Sequence, residues 1–253
     1  MANEIIRYFV SVSYDGTNFA GWQKQKDKRS VQGEIEKVLS DVHTYPVLIS
    51  GSGRTDAQVH AISQVFHFDS ELLKIEKDVK KALDGLLPTD IVCNWVNKVD
   101  KDYHARYDCI SKKYRYIIND GLFDVFRRNY ECYVKNTLDV ELIKEASLIF
   151  VGEHDFSALC TNRKKEKENQ VRIIYSITVD RSSDGRIVID FYGNGFLRHM
   201  VRMIVQVLIE VGLKRIDICR AKAMLDSKDK AACQYKADAK GLYLMEVNYD
   251  QEK

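Results

Sequence analysis

The sequence predicts an α+β fold built from two similar halves. Residues 6–14 and 91–99 alternate with the period of two that a half-buried strand requires, and residues 31–42 place apolar side chains at helical spacing. Up to about residue 105 the order of such elements is βαββαβ, and the same order recurs in the rest of the chain. This order is typical of a ferredoxin-like fold, in which a four-stranded antiparallel sheet carries two helices on one face.

The first half contains four predicted strands and two predicted helices. Asp15-Gly16 breaks the first strand, Ser30 can cap the first helix, and Pro88 stops the second helix. In chain order we expect a strand over 6–14, a helix over 31–42, strands over 47–50 and 63–68, a helix over 79–87, and a strand over 91–99.

The second half repeats the order of elements without a clear repeat of residues. We expect a strand over 113–119, a helix over 140–150, strands over 171–180 and 186–192, helices over 197–211 and 218–225, and a strand over 242–249. The sequence thus predicts two domains, residues 1–105 and 106–253. Their antiparallel sheets would join into one extended mixed sheet with the helices on one face.

Composition indicates a soluble globular protein of the cytoplasm. The chain has 253 residues, of which 45% are hydrophobic, and no stretch approaches the ~20 apolar residues of a membrane-spanning helix. A net charge of +2 predicts only local attraction to nucleic acid. The N-terminal apolar run is too short for a signal peptide. Six scattered cysteines form no Cys-x-x-Cys motif and suggest reduced thiols: Cys93, Cys109, Cys132, Cys160, Cys219 and Cys233.

One polar stretch, residues 51–61, separates two predicted strands of the first half. Its glycines allow a sharp turn, and Arg54 and Asp56 follow with one residue between them. Such a pair can converge on one substrate, the guanidinium binding an anion and the carboxylate lying beside a reacting atom. The competing interpretation is a solvated turn with a weak surface ion pair.

A metal site is the sharpest rival to this interpretation. Asp56 and His60 stand four apart, and His67 and His104 could add nitrogen ligands, but the spacing matches no established zinc pattern. The chain also lacks the glycine-rich fingerprints of nucleotide-binding loops. We therefore expect neither a metal nor a cofactor.

Basic residues gather at several places that could contact phosphates. Arg198 and Arg202 stand four apart on the predicted apolar helix and so on one face, which should meet an anion or water. The other clusters could equally be solvated loops. They comprise Lys24, Lys26, Lys28 and Arg29; Lys112, Lys113 and Arg115; and Arg163, Lys164, Lys165 and Lys167.

Motifs along nearly the whole chain resemble the TruA family of tRNA pseudouridine synthases. The most specific is Gly53-Arg54-Thr55-Asp56-Ala57. The others include Tyr14-Asp15-Gly16, Phe19-Ala20-Gly21-Trp22-Gln23, Val59-His60-Ala61, Phe66-His67-Phe68, His104-Ala105-Arg106, Lys113-Tyr114-Arg115-Tyr116, Gly152-Glu153-His154-Asp155-Phe156, Gly195-Phe196-Leu197-Arg198-His199-Met200-Val201-Arg202 and Gly241-Leu242-Tyr243-Leu244.

The resemblance implies an enzyme that isomerises uridine to pseudouridine at positions 38, 39 and 40 of the tRNA anticodon stem-loop. It implies a homodimer that uses no cofactor or metal. The first half would carry the catalytic loop, and the second would complete the cleft and supply dimer contacts. A non-catalytic tRNA-binding protein on the same fold is the alternative.

The resemblance also implies roles for individual residues. Asp56 matches the catalytic aspartate, Arg54 matches the arginine that pairs with it and helps to admit a flipped nucleotide, and Tyr114 matches the residue that stacks on uracil. Leu242 would contact the substrate, and Arg198 and Arg202 would contact RNA.

Two residues depart from the family pattern. Gln58 stands where glycine is common, so a positive φ there would cost about 1 kcal/mol. Met203 stands where asparagine is usual.

Overall fold

The chain folds into two compact units, each with its own strands and helices. The structure is a computed structural model. The first unit comprises Met1–Ile110 and Leu244–Lys253, and the second comprises Ser111–Tyr243. The structure describes residues 5–72, 76–161, 169–233 and 235–250.

The sheet of the first unit is centred on two long antiparallel strands. Its strands are β1 (Ile6–Tyr14), β2 (Ser50–Gly51), β3 (His60–Ser70), β4 (Ile91–Val99) and β10 (Leu242–Tyr249), of which β10 belongs to this unit from Leu244 onward. β1 lies between β4 and β3 and is antiparallel to both. β2 and β10 both lie on the other side of β3, and β2 pairs with it through only two residues.

Two helices, α1 (Val31–His43) and α2 (Glu76–Leu86), belong to the same unit. The Ser30 hydroxyl accepts a hydrogen bond from the Gly33 backbone N–H at 3.3 Å, which satisfies one of the unpaired donors at the start of α1. The apolar residues that predicted α1 are indeed buried, as Ile35 and Leu39 illustrate. Amphipathic spacing and the cap together explain why this segment forms a helix.

The second unit contains an antiparallel sheet in the order β5–β9–β8–β7. Its strands are β5 (Cys109–Asn119, in this unit from Ser111), β6 (Cys132–Tyr133), β7 (Gly152–Asp155), β8 (Val171–Arg181) and β9 (Ile187–Gly193). β6 pairs with β5 in parallel. The buried side chains of β8 and β9, among them Ile177, Val179 and Phe191, form the core face of this sheet.

Three helices complete the second unit: α3 (Val140–Ser147), α4 (Met200–Gly212) and α5 (Ile218–Asp226). α4 is buried over almost its whole circumference, as expected for a helix that is hydrophobic all round. A Cβ at Gly212 would lie 2.7 Å from the Ile143 side chain, so the absence of a side chain there permits close approach of α3.

The order of the major elements confirms the sequence prediction, and three local differences have physical reasons. The predicted strand over 47–50 pairs only from Ser50 onward. α4 begins at Met200 rather than near residue 197, because His199 adopts a left-handed conformation that no helix continues. The short strands β6 and β7 were not predicted, since two to four residues show little periodicity.

Candidate active site

The stretch between β2 and β3 is held at its base by a buried hydrogen-bonded network. The Ser52 backbone N–H donates to the Val65 carbonyl at 2.8 Å, and its hydroxyl donates to the Gln64 side-chain oxygen at 2.7 Å. The amide group of Gln64 donates in turn to the Gly53 carbonyl at 2.8 Å. The turn before Arg54 is therefore fixed to the middle of β3.

Thr55 anchors the next part of the loop. Its side chain is buried and shares a 2.8 Å hydrogen bond with the Tyr14 hydroxyl, while its carbonyl accepts from the Trp22 backbone N–H at 3.2 Å. Gly21 has φ +97°, and a Cβ there would lie 2.6 Å from the Thr55 carbonyl oxygen. Only glycine lets these two backbone segments approach so closely.

The residues on either side of Thr55 are more accessible. Arg54 is exposed and Asp56 is half-buried. Arg54 forms no ion pair with any residue that the structure describes, so the expected pairing with Asp56 is absent here. An exposed ion pair of this kind contributes at most about 1 kcal/mol to stability, which is too little to hold a long solvated side chain in one conformation. The Arg54 guanidinium is consequently available to an anionic substrate.

A tight turn follows the aspartate. The Val59 backbone N–H donates to the Asp56 carbonyl at 3.2 Å, and the Gln58 N–H donates to the Phe19 carbonyl at 3.4 Å. Gln58 has φ +67°, which is the left-handed conformation in which glycine is favoured. The turn thus keeps a glycine-like backbone although a side chain is present.

The histidines near this loop form hydrogen bonds with the backbone. Nδ1 of buried His60 accepts the Gly16 backbone N–H at 3.0 Å. The same nitrogen lies 3.2 Å from an Asp15 oxygen, but an atom that accepts a hydrogen bond carries no proton, so this approach is not a charged pair.

His67 is used in a similar way. Its Nδ1 accepts the Ala105 backbone N–H at 3.1 Å, and its ring lies 4.5 Å from that of His104. Burial, and then the positive charge of Arg7, lower the pKa of His67 to about 4. These backbone contacts occupy Nδ1 of both His60 and His67. No cluster of three potential metal ligands occurs within residues 5–72, 76–161, 169–233 and 235–250.

Tyr114 lies on β5 in the second unit and is half-buried. Its ring meets the edge of Phe196 at a centroid distance of 5.2 Å and an interplanar angle of 82°. Tyr116, two residues on, is fully buried and donates its hydroxyl proton to the Asp238 carbonyl at 2.7 Å. Tyr116 therefore does not line an open surface, whereas Tyr114 is only partly buried.

The basic residues beside Tyr114 are partly neutralised within the chain. Arg115 forms two hydrogen bonds with Asp190, at 2.7 and 2.8 Å, and Lys113 lies 3.6 Å from the same carboxylate. Burial alone would raise the pKa of Asp190, but Arg115 and then Lys113 hold it below its usual value. This ion pair stiffens β5 against β9.

Arg198 and Arg202 do not share a helix face. Arg198 is exposed in the turn before α4, whereas Arg202 is inside the helix and only 8% exposed. The Arg202 Nε–H donates to the Ala237 carbonyl at 2.8 Å, and the Arg202 carbonyl accepts the Ala237 N–H at 3.0 Å. Leu242 is buried at the start of β10.

The remaining basic clusters divide into paired and exposed side chains. Lys24 donates to buried Glu36 at 2.9 Å, and Arg29 pairs with Asp90 while its guanidinium lies 4.2 Å from the centre of the Phe19 ring. Lys26 and Lys28 are exposed in a hairpin turn. The cluster Arg163, Lys164, Lys165 and Lys167 lies outside the described residues.

The fold and the loop define a two-part α+β protein whose candidate reactive group is a carboxylate on a rigid loop. A family model described as tRNA pseudouridine synthase matches residues 10–108 and 146–250. This match includes Arg54, Asp56, Arg198, Arg202 and Leu242. Tyr114 falls between the two matched segments.

Two curated relatives agree with this match. The chain is 39% identical over 248 residues to tRNA pseudouridine synthase A of Limosilactobacillus reuteri (strain DSM 20016), covering 96% of each chain. It is also 39% identical over 249 residues to tRNA pseudouridine synthase A of Staphylococcus aureus (strain JH1), covering 98% of this chain and 92% of the relative.

Among solved structures, a chain from a crystal structure titled as a Cbf5-Nop10-Gar1 complex matches with a TM-score of 0.31 and 12% identity. The match covers 79% of this chain and 54% of that chain.

The chain belongs to the TruA family of tRNA pseudouridine synthases. It is accordingly an isomerase that acts on tRNA and has the pseudouridine synthase fold. Membership of this family sets aside the alternative of a non-catalytic binding protein. Within the described part of the chain, no helix is both long and apolar enough to cross a membrane.

Proposed function

We propose that the protein isomerises uridines at positions 38, 39 or 40 of the tRNA anticodon stem-loop, with Asp56 as the catalytic residue. The observation that carries the proposal is the half-buried Asp56, placed next to the anchored Thr55 within the motif of the family. Rigid support of this kind suits a group that must meet one ribose carbon, since a displacement of about 1 Å can cost 10²-fold in rate.

The reaction explains the choice of a carboxylate. Breaking the N-glycosidic bond develops positive charge at ribose C1′ and negative charge on uracil, which turns and rejoins through carbon. An ionised Asp56 beside C1′ stabilises the cation electrostatically or attacks it to form a covalent ester. Both routes regenerate the free carboxylate when the new carbon–carbon bond forms, after which C5 loses its proton to solvent and N1 takes up a proton.

The target base must first leave its helical stack, which costs a few kcal/mol. In this proposal, Tyr114 stacks on the flipped uracil and offsets part of that cost, and Leu242 supplies an apolar contact. Exposed Arg54 helps to admit the nucleotide and meets its phosphate.

Arg198 and Arg202 take separate roles. Arg198 is exposed and suits contact with an RNA phosphate. Arg202 is buried against the Ala237 backbone, and its proposed part in RNA binding rests on the family resemblance alone.

We also propose that the protein is a homodimer of the cytoplasm whose copies meet through an apolar segment, residues 122–133. Four of its large side chains are at least half exposed: Leu122 (93%), Phe123 (55%), Val125 (50%) and Phe126 (87%). Contiguous exposed apolar surface of this kind marks an interaction site.

The apolar segment is ordered by its own chain, and its ion pairs are satisfied there. Arg127 pairs with Asp184 at 2.6 Å, and Arg186 pairs with both Asp124 and Glu131. Arg127 is thus neutralised within the chain, and exposed Arg128 donates to the Val125 carbonyl at 2.7 Å. The exposed apolar side chains of the segment suit another apolar surface, which a second copy supplies.

Pseudouridine mapping tests the proposed activity and site choice together. We expect tRNA from cells lacking the protein to lose pseudouridine at positions 38, 39 or 40, and wild-type protein to restore it in purified tRNA. Unchanged pseudouridine at all three positions would contradict the proposed target.

A further inference from the structure

One contact of the second unit lies outside the chemistry proposed above. The Thr161 hydroxyl and Nδ1 of His199 share a short hydrogen bond of 2.6 Å. The Thr161 backbone N–H also donates to the Arg198 carbonyl at 3.1 Å. Thr161 therefore contacts both residues of the turn that precedes α4.

His199 has an unusual backbone conformation for its residue type. Its φ is +64° and its ψ is 0°, a left-handed conformation that residues with a β-carbon rarely adopt. Such a conformation persists only where the surroundings determine it strongly, and it is common at functional sites. Although His199 is the N-cap of α4, its side chain does not cap the helix. The imidazole instead forms its hydrogen bond with the Thr161 hydroxyl.

The fixed conformation of His199 affects its neighbour in the chain, Arg198. This side chain is exposed and forms no ion pair with a residue of the described ranges. Three hydrogen bonds fix the chain from Arg198 into α4. Thr161 makes two of them, and in the third the Met203 N–H donates to the His199 carbonyl at 3.0 Å. An arginine with a fixed backbone loses less conformational freedom when it binds.

We infer that Thr161 is a positioning residue for tRNA binding, which holds the left-handed turn at His199 and thereby directs Arg198 toward an RNA phosphate. The inference rests on the RNA contact proposed for Arg198. Thr161 itself touches neither the substrate nor the reacting atoms.

The first test is the substitution Thr161→Val, which removes the hydroxyl and keeps the shape. Losing one hydrogen bond that orders the turn should raise the KM for tRNA about fivefold and leave kcat unchanged. Thr161→Ser restores a hydroxyl and should return KM to within about twofold of wild type. Thr178→Val makes the same change at an exposed position on β8 and should leave KM unchanged.

The second test combines Thr161→Val with Arg198→Gln. Arg198→Gln alone should raise KM and reduce the slope of log KM against log salt by about one, as expected for one phosphate contact. In the Arg198→Gln background, Thr161→Val should raise KM no further, because the side chain that it directs is gone.

The three possible failures are distinguishable. A raised KM in Arg198→Gln with an unchanged KM in Thr161→Val would overturn the role of Thr161 alone. An unchanged KM in Arg198→Gln would overturn the RNA contact of Arg198, and the role of Thr161 with it, while leaving catalysis by Asp56 intact. Equal effects of Thr161→Val with and without Arg198 would show a general structural role and overturn the inference.

Discussion

Asp56 owes its placement to its neighbours in the chain. Thr55 is fixed by the Tyr14 hydroxyl and the Trp22 backbone, and the turn after Asp56 is closed by Val59. The Arg54 and Asp56 motif was visible in the sequence because it depends on residue types alone. The absent Arg54–Asp56 ion pair could not be predicted, because the conformation of an exposed side chain depends on small energy differences.

Gln58 provides a test of strain at the residue scale. Because its φ is +67°, we expect Gln58→Gly to increase the free energy of unfolding by about 1 kcal/mol, measured by urea denaturation. Gln58→Ala keeps a β-carbon and should give no such gain. Equal stability of the glycine and alanine variants would contradict the assignment of strain.

Tyr114 provides a test of base stacking. Tyr114→Ala should slow single-turnover pseudouridine formation between about fivefold and 150-fold, because stacking is worth ~1–3 kcal/mol per base. Binding of tRNA should persist, and Tyr114→Phe, which keeps the ring, should retain more activity than the alanine variant. Equal rates in the alanine variant and wild type would contradict the stacking role.

At the scale of elements, periodicity predicted most strands and helices. It did not predict which side chains are covered by neighbouring segments. Tyr114 and Tyr116 point to the same face of β5 by strand alternation. Tyr116 is nevertheless buried, because the segment near Gly241 lies against its ring, where a Cβ would come within 2.8 Å. The burial of Tyr116 depends on a contact between segments that are distant in sequence. The residue pattern of one strand carries no information about such a contact.

The position of His67 on β3 gives a prediction for the pH dependence of stability. The pKa of this residue is about 4 in the folded protein and ordinarily 6.5, so the unfolded chain binds the proton first as pH falls. Its contribution to stability is therefore complete above pH 6.5 and is lost as the pH falls from about 6.5 to 4. The loss is at most about 3 kcal/mol.

We expect His67→Asn to reduce the pH dependence of unfolding free energy in that window, measured by urea denaturation at several pH values. His154→Asn, the same substitution at a histidine of β7, is the matched control. If the unfolding free energy of His67→Asn changed with pH as steeply as that of wild type, His67 would not be the group responsible.

At the scale of the whole molecule, family membership establishes the activity on tRNA, and the exposed apolar segment 122–133 is the surface at which we propose that two copies meet. The sequence did not reveal that this segment is exposed, because exposure is a property of the folded chain. Its aromatic residues could equally have been buried in a core.

Disrupting this segment should change the oligomeric state. We expect Phe126→Ser to shift the protein from dimer to monomer in size-exclusion chromatography with light scattering, since burying a Phe side chain contributes roughly 1.5–3 kcal/mol. Leu148→Ser changes an exposed apolar residue outside the segment and should leave the dimer intact. A wild-type monomer, or a Phe126→Ser dimer of undiminished stability, would contradict the proposed interface.

The central claim is that Asp56 performs the chemistry, and tritium release from tRNA labelled at uridine C5 tests it most directly. Wild-type protein and the exposed-site control Asp41→Asn should release tritium at equal rates. Asp56→Asn should fold, bind tRNA and release none above background. Release by Asp56→Asn at a rate near that of wild type would contradict the assignment.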